Sequence, residues 1–225
     1  MMGAGDPAVL AHLEQVRLLY ADAGAIEYVQ DVVGEAWRVN RRRWAPEKHF
    51  DDTNTLGYLT SRNVNNCIYQ TIETSVVSPS VVPETEPGVV ILGLGGFRLR
   101  VVKAPIESGL KPDFENDFDW SPSATRVSAA RRNSNNYYPF AADEWTLDFD
   151  GDPRPRHLRQ VEACRDLFLV WAAELTSDRT AGWLGLPQLG DWPWMGVIEL
   201  WFDEATEEQV GATDNDDVAD EEEDD

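Results

Sequence analysis

Residues 89–103 read VVILGLGGFRLRVVK, and no other stretch restricts the fold as much. Positions 89–92 are apolar without a polar break, the pattern of a strand buried on both faces. After the glycines, Phe97, Leu99 and Val101 alternate with Arg98 and Arg100, the period of a half-buried strand. Between the two runs lies Gly93-Leu94-Gly95-Gly96, so the segment predicts an antiparallel hairpin turned at positive φ. The rival reading is a loop that cradles phosphate. A dinucleotide fingerprint needs its third glycine where Arg98 stands and a helix directly after it, and a P-loop needs Gly-Lys followed by Ser or Thr. Neither follows here, so the glycines are expected to serve the backbone rather than a ligand.

Around this hairpin the hydrophobic periods sort into helices first and strands later. Asp6-Pro7 is a cap and first-turn signal, and Val9, Leu10, Leu13, Val16 and Tyr20 follow at helical spacing. Gly24 breaks the run, and Ile26, Val29, Val33 and Trp37 predict a second helix that ends in the basic stretch 38–43. A third helix is expected over 62–73, capped by Thr60 or Ser61, with Val64, Cys67, Ile68 and Ile72 inward. Residues 78–87 and 104–120 read as loops, the second long enough to be a functional one. A helix is expected over 122–132, a strand over 144–150, a helix over 157–164, and strands over 167–173, 181–186 and 195–202. Strands cluster rather than alternate with long helices. The expected fold class is α+β: an N-terminal helical hairpin and further helices packed on a mainly antiparallel β-sheet.

The chain has 225 residues and a net charge of −22, but the charge is unevenly spread. Residues 203–225 hold 13 acids and no base; the rest carries 28 acids against 19 bases, a net of −9. This predicts a single α+β domain over 1–203 and a disordered acidic tail over 204–225. Cys67 and Cys164 are expected as reduced core residues, no leader or membrane span is recognised, and the expected setting is the cytoplasm. No cofactor is expected. Asp148, Asp150 and Asp152 form an alternating set that lacks the downstream glutamate of a calcium loop, and three widely spaced histidines offer no zinc spacing, so no metal is assigned.

Three stretches hold side chains suited to anions. Arg62 and Asn63 stand at the expected start of the third helix, where free N–H groups already favour negative charge. Arg100 and Lys103 lie on the strand after the glycines. Arg131 and Arg132 belong to RVSAARRNSNNYYPF, which mixes phosphate-gripping arginines with tyrosines that stack on bases. Each has a plain structural reading too: a capped helix with a solvated arginine, a snorkelling lysine, and arginines complementing a helix dipole. Near the C-terminus, Gly190-Asp191-Trp192-Pro193-Trp194 reads as a turn exposing two indoles.

Two functional expectations follow. In the first, Arg62, Asn63, Arg100, Lys103, Arg131 and Arg132 converge on one basic concavity that binds a nucleotide or nucleic acid, with hydrolytic, toxin- or nuclease-like activity open. No general base, nucleophile or metal set is recognised to support catalysis. In the second, the protein is a non-catalytic interaction module that meets a basic or apolar partner through its acidic tail and through Trp192 and Trp194.

Overall fold

Asp6 starts the first helix by accepting the Ala8 N–H at 2.9 Å, with Pro7 at the first helical position. The structure, a computed structural model, describes residues 6–49, 52–105, 109–137 and 160–204. Helix α1 (Pro7–Asp22) and helix α2 (Ala25–Arg43) form the expected helical hairpin, with Gly24 at φ 73° making the turn. A short helix, α3 (Pro46–His49), leads into α4 (Thr53–Thr71).

Six strands follow in one sheet: β1 (Val82–Glu86), β2 (Val89–Leu94), β3 (Phe97–Lys103), β4 (Asp166–Ala173), β5 (Thr180–Pro187) and β6 (Trp194–Phe202). They lie side by side in chain order. Every pairing is antiparallel except β3 with β4, which is parallel. A parallel neighbour needs a crossover, and the connection from β3 to β4 carries helix α5 (Ala124–Asn136). The protein is therefore of the α+β class, with its helices packed on a mainly antiparallel sheet.

Helices cover both faces of the sheet. Leu167, Leu169 and Trp171 of β4 pack with α1, α2 and α4, whereas Phe168, Val170 and Ala172 pack with Ala129 and Ala130 of α5. All eight residues of β4 are buried, which explains the unbroken apolar run from Leu167 to Ala173. In the 104–120 stretch, expected as a functional loop, the described residues Leu110, Phe114 and Trp120 are buried in the α5-side core. Its rings join Phe168, Trp183 and Trp194, with Trp120 and Trp194 edge to face at 4.8 Å.

Several boundaries differ from the sequence expectation. Helix α4 begins nine residues before Arg62, because Asp52 caps it by accepting the Thr55 N–H at 2.6 Å. Thr60, expected as a cap, lies inside the helix, and its hydroxyl donates back to the Leu56 carbonyl at 2.8 Å. Strand β1 occupies part of the expected 78–87 loop; Pro83 masks it in the sequence and is tolerated because β1 is an edge strand. Helix α5 is capped by Ser123 and runs on to Asn136. Cys67 is exposed on α4, and only Cys164 is a core residue. The expected strand over 144–150 lies outside the described residues, as does the first part of the expected 157–164 helix; its described end is a 3-10 turn, Val161–Ala163.

Candidate functional site: the outward face of α4

The six residues expected to share one anion are divided by the sheet. Arg100 projects from β3 to the α5 side and is fully buried. Asp166 accepts from its Nη1 at 2.5 Å and from Arg132 Nε and Nη2 at 2.7 Å each. Glu86 of β1 accepts from Arg100 at 3.1 Å and from Arg98 at 2.9 Å. These guanidiniums are committed to the chain's own carboxylates. Burial pushes the Asp166 carboxyl up, but the hydrogen bonds and charges of Arg132 and Arg100 outweigh it and hold the pKa below the ordinary value. Arg131 is exposed on the same helix as Arg132.

Arg62 and Asn63 lie on the opposite side of the sheet, on α4, which packs against α2 and strands β1, β2 and β3. Both are within the helix rather than at its N-terminus, so the free N–H groups expected beside Arg62 are not there. Asn63 donates to Asn40 of α2 at 3.0 Å. Lys103 shares the parity of Leu99 and Val101 and donates to the Ala104 carbonyl at 2.6 Å. One concavity spanning Arg62, Arg100 and Arg131 does not form.

The glycine turn is a hairpin. Leu94 pairs with Phe97 across Gly95 and Gly96, whose φ values of 58° and 82° suit a type I′ turn. Beside it lies an open groove of about 370 Å³ whose lining includes Val82, Glu84, Gly93, Gly96 and Arg98. Arg98 is already paired there with Glu84 and Glu86, so an entering phosphate would meet two carboxylates.

No set of reacting groups assembles among the described residues. Buried His12 meets residue Cys164 only through its backbone, with Nε2 donating to the carbonyl at 3.1 Å. Burial lowers the His12 pKa and pushes the Cys164 thiol up to about 12, which keeps both groups neutral and the thiol a poor nucleophile. No group of three or more His, Cys, Asp or Glu is placed to hold a metal ion among the described residues. No described helix is long and apolar enough to cross a membrane. Of the two indoles expected at the surface, Trp194 is buried in the aromatic cluster and only Trp192, 49% exposed, faces solvent.

What the structure does present is the outer face of α4. Over its 19 residues this helix carries one charged side chain, Arg62, in a chain that is 27% charged. Tyr58 is 65% exposed, Tyr69 50% and Leu59 47%. Tyr58, Arg62 and Tyr69 are spaced by four and seven residues, which puts them on one stripe. Helix α2 runs antiparallel alongside, a register set by Tyr28 bonding Thr71 and Asn40 bonding Asn63. Its last turn, with exposed Arg42 and Arg43, therefore lies beside the first half of α4. Sequence reasoning passed over Tyr58, Leu59 and Tyr69 because the helix was started too late. Asp52 followed by apolar or small inward residues at 56, 60, 64 and 68 is the signal that would have found them.

No protein-family profile matches the sequence, no characterised protein resembles it in sequence, and no solved structure matches its fold.

Proposed function

We propose that the protein is a non-catalytic interaction module that docks an acidic protein segment on the outward face of α4. The observation that carries this reading is the near absence of charge on an exposed helix that displays two tyrosines, a leucine and one arginine. Interface cores are depleted in charged residues and enriched in tyrosine and arginine, the side chains that dominate binding energy. The acidic character of the partner follows from Arg62, Arg42 and Arg43, which have no ion pair among the described residues. A protein segment suits this surface better than a nucleic acid. A nucleic acid carries a charge at every residue, which the chain's net charge of −22 opposes, whereas an acidic peptide intersperses apolar side chains that can rest on Tyr58 and Leu59. Trp192 is a second, smaller exposed contact. Residues 1–203 acting as one domain in the cytoplasm belong to the same proposal; an unpaired exposed thiol such as Cys67 stays reduced there.

The test uses the full chain with its C-terminal acids exchanged for amides, so that they neither repel nor compete with a probe. A labelled peptide of repeated Glu-Tyr-Glu-Leu should bind, and Arg62→Gln or Tyr58→Ala should weaken it. A single-stranded oligonucleotide of matched charge should bind less tightly. Tighter oligonucleotide binding that depends on Arg62 and Asn63 would return the nucleic-acid reading.

A further inference from the structure

We infer that, in the absence of a partner, the basic end of α2 and the adjoining face of α4 are occupied by the chain's own acidic C-terminal segment. The inference rests on the docking surface proposed above and names its resident competitor. Four basic side chains lie along this stretch: Arg42 and Arg43 in the last turn of α2, Lys48 on α3 and Arg62 midway along α4. All are exposed, and none has an ion pair among the described residues, although Arg38 is paired with Glu35 and Arg41 with Asp178. Against them stand Glu47 on α3 and the α4 cap Asp52. The arginines also complement the α2 dipole, but this leaves their guanidinium hydrogen-bonding capacity unused.

The place where the chain leaves the sheet makes the contact possible. After β6, Asp203 is tied to Thr180, with backbone and side-chain bonds of 3.0 and 2.8 Å. Thr180 closes the β4–β5 hairpin, and α2 docks on that same hairpin: Trp37 donates to the Ser177 carbonyl at 2.9 Å and Arg41 to Asp178 at 2.6 Å. The described chain, ending at Glu204, therefore stops next to the basic end of α2, and residues 205–225 of the sequence follow from there. Their sequence holds eleven carboxylates and no base. Twenty-one residues can extend up to roughly 70 Å, more than twice the ~28 Å length of α4. A tethered segment is present at an effective concentration on the order of millimolar, so even weak charge pairs suffice to hold it. A partner must then displace the tail, which selects for acidic partners that also supply apolar contacts.

The exposed Cys67 thiol on α4 gives the probe, because Cys164 is buried. A spin label on Cys67 of the intact protein should broaden the amide signals of residues 205–225 at low salt. Added salt should relieve the broadening, as should the combined Arg42→Gln, Arg43→Gln and Arg62→Gln exchange. Exchanging the eleven tail acids for amides should raise affinity for the Glu-Tyr-Glu-Leu peptide roughly tenfold or more, since several surface pairs are released together. Sharp tail signals at low salt, or broadening unchanged by the arginine exchange, overturn the inference. If the tail proves free while the peptide still binds α4, the docking reading stands without its competitor. If the peptide also fails to bind, both fall.

Discussion

The Asp166 carboxylate holds two guanidiniums, and one of them, Arg100, is cut off from water. Removing the carboxylate and removing its exposed partner should therefore have different effects. Asp166→Ala leaves Arg100 buried with Glu86 alone and should cost about 3–5 kcal/mol. Arg132→Ala removes a side chain that is 43% exposed and should cost about 1 kcal/mol or less, because water takes its place. Denaturant titration of each variant measures both. The pH dependence has a defined sign. The folded pKa of Asp166 lies below its ordinary 3.8, so its contribution is present above about pH 4 and is lost as pH falls through the lowered value. Asp166→Asn should flatten the acid limb of the stability curve. A second residue-scale case is Gly182. A Cβ there would stand 2.2 Å from the Trp201 ring, so Gly182→Ala should overpack the β5–β6 pair and lower stability by about 1–3 kcal/mol.

Besides the apolar contacts of Ala129 and Ala130, helix α5 is fastened by a buried amide. Asn133 donates to the carbonyls of Asp166 and Pro187 at 2.7 and 3.1 Å and accepts the Asp166 N–H at 3.3 Å. Asn133→Ala leaves buried backbone groups without partners and should destabilise by about 1–3 kcal/mol, with hydrogen exchange rising first along α5. In the sequence, Asn133 reads as the first residue of a polar loop, since an asparagine that bridges two strands looks like one that ends a helix. Elements with a clean period were readable: α1, α2, the glycine hairpin and strands β4 to β6. The misread ones each contain a residue with two uses. Thr60 suits a cap or a mid-helix back-bond, and Pro83 a loop or an edge strand. The anion cluster was misread for a different reason. Arg62, Arg100 and Arg132 have the right chemistry one by one, but sequence spacing does not say which face of a sheet a crossover delivers, nor that Asp166 awaits two of them.

At the scale of the whole molecule, the two sheet faces do different work. On the α5 side Arg98, Arg100 and Arg132 are paired with Asp166 and Glu86, which leaves Arg131 exposed there, while the α4 side leaves Arg42, Arg43 and Arg62 open beside Tyr58 and Leu59. Exposed positions without buried contacts should tolerate change, so Tyr58→Ala and Tyr69→Ala should shift stability by no more than about 0.5 kcal/mol while weakening the peptide. The most direct measurement is a map of amide chemical-shift changes as the Glu-Tyr-Glu-Leu peptide is titrated into the tail-neutralised chain. The changes should centre on the last turn of α2 and on α4 around Arg42, Arg43, Tyr58 and Arg62. Changes centred instead on Arg98, Arg100, Arg131 and Arg132, across the sheet, would contradict the account.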